Sequence, residues 1–129
     1  MSQKELIKHW REGAKDALET AGYLMKTKRF DHALFFGHLA LEKLLKSLVI
    51  EYGEANAPYT HDLAQLAHKA HIELRKEQEE GLLQINLFNI EGRYPEEKAL
   101  LRKTTTPEIA EYWWKRINEY FVWLQKGSK

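Results

Sequence analysis

Gly92-Arg93-Tyr94-Pro95 is the stretch whose residue types point most directly to chemistry. Gly92 permits backbone angles closed to other residues, Pro95 fixes its own φ, and Tyr94 is pushed extended by the proline that follows. A guanidinium on so stiff a bend offers a planar fork to phosphate or carboxylate, and Tyr94 could stack on a base. The same residues admit a structural reading, with Arg93 paired to Glu96, Glu97 or a helix C-terminus and Tyr94 packed in the core.

His38, Glu42 and Lys46 recur at i, i+4 and i+8, which sets them on one helix face, with Glu42 and Lys46 in the favourable order for an ion pair. As a ligand site, Lys46 would meet phosphate while Glu42 orients Lys46 or Arg93. As structure, the three are an intrahelical pair worth on the order of a few tenths of a kcal/mol beside a satisfied histidine.

His61 falls at the expected start of a later helix, where backbone amides favour anions. It could bond a ligand phosphate or transfer a proton; its structural reading is to help Thr60 and Asp62 fix the start of that helix. His61, His68 and His71 have helix-compatible spacing, but no carboxylate or cysteine completes a set of three or four ligands, so no metal is expected. No G-x-S-x-G, Walker or G-x-G-x-x-G motif is present, and no cofactor is expected.

The element that must position these groups runs from Phe30 to Tyr52. Phe30, Leu34, Gly37, Leu41, Leu44 and Leu48 form one helical face, while Phe36, Leu39 and Ile50 lie on other sides. A helix apolar nearly all round is buried on more than one flank. It is expected to be the central rod of a bundle, its second flank met by another helix or another subunit. The polar stripe is the one break in its apolar surface.

Gln3 to Lys26 is expected to form a preceding amphipathic helix, with Leu6, Trp10, Ala14, Ala17, Ala21 and Leu24 as its stripe. The basic connector Lys26 to Arg29 is short, so these two helices should be antiparallel neighbours. Helix two stops near Gly53, and the turn GEANAPY follows. Thr60 is the expected N-cap of helix three, which has Asp62 in its first turn and Leu63, Leu66, Ala67 and Ala70 on its apolar side. The charged run ELRKEQEE continues that helix, links it to a fourth, or does both, and the fourth holds Leu82, Leu83, Ile85, Leu87 and Phe88.

Between about Glu91 and Thr105 the periodicity disappears, and a long loop is expected there. Thr106-Pro107 suits the Ncap and N1 positions of a last helix, while Thr105 and Glu108 have capping-box spacing. That helix runs to about Lys126 with Ile109, Trp113, Ile117, Tyr120 and Leu124 on one face. Trp114, Phe121 and Trp123 spread aromatic surface onto other faces, more than a small bundle hides, which predicts an oligomer contact.

A length of 129 residues fits one domain, residues 1–129, able to bury a core without staples, and with no cysteine a disulfide framework is excluded. The charged N-terminus has no apolar core of a signal peptide, and no run approaches the roughly 18 apolar residues of a membrane span. A cytoplasmic protein without a membrane partner is therefore expected. The 20 basic residues are balanced by 19 acidic ones, which argues against a broad surface for duplex nucleic acid.

Three segments, in order, resemble one known family. Ala33 to Leu48 resembles its second helix, Tyr59-Thr60-His61-Asp62-Leu63 with Leu66 resembles the start of its third, and Gly92-Arg93-Tyr94-Pro95 resembles a late Arg-Tyr-Pro loop. The family is the HEPN domain (higher eukaryotes and prokaryotes nucleotide-binding). The resemblance implies an all-α, up-and-down bundle of about five helices that dimerises, with functional residues near the dimer cleft. It also implies a minimal nucleotidyltransferase as partner, in an accessory or toxin–antitoxin relationship. Many members are metal-independent ribonucleases using an arginine followed four to six residues later by a histidine. None of the six arginines here (Arg11, Arg29, Arg75, Arg93, Arg102, Arg116) has a histidine at that distance.

The expected function is therefore a non-catalytic accessory protein that binds a nucleotide or phosphate ligand through Arg93, Tyr94, Lys46, Glu42, His38 and His61. One alternative is a divergent metal-independent ribonuclease in which Arg93 stabilises phosphoryl charge and His61 moves a proton. The other is a purely structural interaction module.

Overall fold

The computed structural model describes residues 1–127, which form six helices and no strand. They are α1 (Gln3–Lys26), α2 (Phe30–Tyr52), α3 (Leu63–Lys69), α4 (Lys76–Asn86), α5 (Pro95–Thr104) and α6 (Pro107–Lys126). Ser2 caps α1 in a capping box with Glu5. Thr27 closes the helix, and Lys28, at φ 61, turns the chain into α2. Ala14, Ala17 and Ala21 are the buried residues of α1, and their small side chains let it lie close along α2.

Fifteen of the 23 residues of α2 are buried, so the rod is enclosed on several sides at once. Besides α1, it packs on α3, α4, α5 and α6. Leu34, Leu41, Leu45, Val49 and Ile50 are fully buried, against Leu63 and Leu66 of α3, Leu82 and Ile85 of α4, and Ile117 and Leu124 of α6 as the other large core side chains. The second flank is thus met by helices of the same chain.

Some expectations change. The stretch after Glu91 is not a long loop, because α5 occupies most of it and raises the helix number to six. No residue of α5 is buried, so it carries no core-facing repeat to reveal it. It forms on local signals instead: Pro95 at its first turn, Glu96 and Glu97 at its positive end, Arg102 and Lys103 at its negative end. Arg102 Nε ties it to Asp31 of α2 at 3.2 Å.

Asp62, not Thr60, caps α3, its Oδ1 accepting from the amides of Ala64 and Gln65 at 3.0 and 3.3 Å. Thr60 acts one step outside, its hydroxyl accepting from the Asp62 amide at 3.2 Å and donating to Gln65 Oε1 at 2.8 Å. The charged run divides, with its second half opening α4 at Lys76. Thr106 does cap α6, accepting from the Ile109 amide at 3.3 Å, whereas Thr105 ends α5.

The aromatic surplus of α6 is largely absorbed by the bundle. Phe121 is core, and Trp114 and Trp123 are half-buried against it. Ile109, Tyr112 and Val122 are the large apolar residues this helix leaves exposed. No helix among the described residues is long and apolar enough to cross a membrane.

Candidate functional site

The polar stripe of α2 lies inside the protein. His38, Glu42 and Lys46 are 1%, 4% and 7% exposed, so rules for surface ion pairs do not govern them. Helix geometry stacks the three side chains, and segments far away in sequence close over them.

Lys46 Nζ donates to Glu42 Oε2 at 3.0 Å and lies 5.3 Å from the centre of a Trp10 ring on α1. An ammonium so enclosed is held by one carboxylate and one π face. The second oxygen, Glu42 Oε1, sits 2.9 Å from His61 Nδ1. A carboxylate only accepts, so Nδ1 carries a hydrogen, and in the neutral ring Nε2 is the acceptor nitrogen. The His61 side chain is 47% exposed.

His38 holds the same residue by its backbone, its Nε2–H donating to the His61 carbonyl at 3.0 Å. Its Nδ1 lies 3.9 Å from Glu42 Oε1. Burial pushes the His38 pKa down, against the opposing pull of the Glu42 charge and the His61 carbonyl, so the ring is neutral at pH 7. Two successive members of the stripe therefore clamp one residue, His38 by its carbonyl and Glu42 by its ring.

The next residues extend the clamp. Asn86, last in α4, accepts from the Leu63 amide and donates to Asp62 Oδ1, each at 3.0 Å. The end of α4 is thus bonded to the start of α3, one residue beyond His61. Tyr59 is fully exposed, its ring centre 6.4 Å from that of His61.

Arg93 braces the turn after α4. Its Nε donates to the Asn89 carbonyl at 2.7 Å and its Nη2 to the Leu87 carbonyl at 3.1 Å, with Glu97 3.6 Å from Nη1. Among the described residues it forms no hydrogen bond or ion pair with His38, Glu42, Lys46 or His61. It does stand at the same end of α4 that Asn86 joins to the His61 segment. Tyr94 is 73% exposed rather than packed in the core, and its amide donates to Glu97 Oε1 at 3.2 Å.

The structure accordingly brings together His38, Glu42, Lys46 and His61, and leaves Arg93 and Tyr94 on a neighbouring loop. Tyr59 joins the site from the segment that resembles the start of the family's third helix, and Trp10 and Asn86 join it without having stood out in the sequence. Trp10 reads there as part of the α1 core stripe, and the partners of Asn86 lie 23 and 24 residues away. Among the described residues, no group of three or more His, Cys, Asp or Glu side chains is placed to hold a metal ion.

The chemistry available is proton transfer. A buried carboxylate, paired with a lysine, orients the imidazole of a half-exposed histidine through its Nδ1–H. No curated protein and no solved structure matches the chain. The profile of the HEPN domain family matches residues 7–127, nearly the whole length. The chain belongs to the HEPN domain family.

Proposed function

We propose that this HEPN protein is a divergent, metal-independent ribonuclease with His61 as its proton-transfer group. The observation that carries the reading is the 2.9 Å contact between buried Glu42 and half-exposed His61. His61 Nε2 would take the proton of an RNA 2′-hydroxyl as that oxygen bonds to the adjacent phosphorus. The 5′-oxygen would leave and take a proton from water. Arg93, 30% exposed and with its Nη1 edge only loosely held by Glu97, would meet the developing phosphoryl charge from the neighbouring turn. The exposed rings of Tyr59 and Tyr94 offer faces for bases to stack on.

The accessory, nucleotide-binding reading draws less support. Lys46, which would have met a phosphate, is buried against Glu42 and Trp10. The interaction-module reading draws on the exposed Ile109, Tyr112 and Val122 of α6. A homodimer, a minimal nucleotidyltransferase partner in a toxin–antitoxin pair and a cytoplasmic location remain proposals that accompany family membership. Light scattering and co-purification test the first two.

Incubating the protein with single-stranded RNA in excess EDTA tests the enzyme. Cleavage abolished in both His61→Ala and Arg93→Ala is expected. Intact RNA, or cleavage that both variants retain, overturns the proposal in favour of a binding or assembly role.

A further inference from the structure

A cleft of about 480 Å³ separates α4 from α6, within the size range of small-molecule sites. None of its lining residues belongs to the His61 site. Three hydrogen-bond donors on its wall have no acceptor among the described residues. Arg116 Nε is buried without a partner, although the neighbouring Nη2 donates to Glu119 Oε1 at 3.1 Å. Gln78 is 7% exposed, and its Oε1 accepts from the Arg75 amide at 2.9 Å while its amide nitrogen bonds to nothing in the protein. The Tyr120 hydroxyl is the third.

The cleft is built rather than incidental. Gly81 lies within α4, where glycine disfavours the helix, and any Cβ there would run into the Tyr120 hydroxyl. The glycine therefore lets the phenol lie across α4 and form one wall. Burial raises the pKa of that phenol, which keeps its O–H as a donor. Of the three donors only Arg116 Nε is shut off from solvent; the Gln78 amide nitrogen and the Tyr120 hydroxyl are open to the cleft, where an acceptor can reach them.

Charge narrows the class of molecule. Arg75 and Arg116 face Glu77, Glu80 and Glu119, so the lining is net acidic and does not favour an anion. We propose that this cleft binds a neutral, flat molecule carrying an amide or lactam carbonyl. Its oxygen would accept from the Gln78 amide and the Tyr120 hydroxyl, with its ring against Trp113. The proposal does not rest on ribonuclease activity.

Ligand-observed NMR on the full chain, with benzamide as probe and benzoate as its charged counterpart, tests it. Gln78→Glu keeps the oxygen that caps α4 and removes the amide donor, and Tyr120→Phe removes the hydroxyl. Benzamide binding weakened roughly tenfold in each variant, as for loss of one hydrogen bond, is expected, with benzoate binding more weakly than benzamide. Circular dichroism checks that both variants fold, and Tyr120→Phe decides alone if Gln78→Glu does not. Absence of benzamide binding at millimolar concentration, equal binding by the variants, or benzoate bound as tightly overturns the proposal.

Discussion

Glu42 Oε1 lies 2.9 Å from His61 Nδ1, joining the middle of α2 to the segment before α3 across 19 residues of sequence. The relationship is asymmetric: the carboxylate is enclosed, whereas the imidazole stands at the surface. Lys46 on the other oxygen supplies the counter-charge that allows an ionised carboxylate to sit so deep. The stripe on α2 thus acts through His61 instead of meeting a ligand itself.

Breaking the Glu42–Lys46 pair from one side leaves a buried charge uncompensated. Glu42→Leu and Lys46→Met should each destabilise the protein by about 3–5 kcal/mol, while the double variant recovers most of that loss. Urea unfolding of the four proteins measures the coupling. Additive losses would mean that the pair is not a unit.

His38 gives the fold an acid sensitivity. Its pKa is lowered by burial, so the unfolded chain binds a proton that the folded chain resists. Its contribution is complete above the ordinary value of 6.5, and declines as pH falls below it until the lowered folded value is reached. His38→Gln, which keeps an N–H donor for the His61 carbonyl, should flatten the stability profile in that window. A profile as steep as that of the parent protein would place the sensitivity elsewhere.

Arg93 holds two carbonyls with two different nitrogens of its fork, a geometry that a lysine ammonium cannot reproduce. Arg93→Lys should therefore lose nearly as much stability as Arg93→Ala, about 1.5–3 kcal/mol by thermal or urea melts. Full retention of stability by the lysine variant would show that charge alone suffices at this turn.

The central rod was legible in the sequence because it is apolar almost all round, and the stripe because its members recur every four residues. What closes over the stripe was not, since Trp10 arrives from α1 and His61 from a separate segment, and no local spacing records either approach. Helix α5 escaped notice for a related reason: none of its residues is fully buried, only Leu101 leans on the core, and Pro95 serves equally as a rigid bend and as a first helical turn. Arg93 was read against a phosphate, a carboxylate or a helix C-terminus, and the last is what it bonds: the carbonyl of Leu87, which closes α4, with that of Asn89 just beyond.

Gly37, the lone glycine of α2, is explained by α6 rather than by any turn. A Cβ at this position would stand 2.7 Å from Ile117 Cδ1 and 3.3 Å from its Cγ2, so the glycine allows Ile117 to seat against the rod. Alanine is the better helix former by about 1 kcal/mol, which opposes the clash. Overpacking a close-packed crossing costs about 1–3 kcal/mol, so Gly37→Ala should come out neutral to destabilising by about 2 kcal/mol. Ile117→Val removes the nearer methyl and leaves the other, so the double variant should be more stable than the sum of the two single changes allows. Strict additivity in denaturant melts would locate the need for glycine elsewhere on the helix.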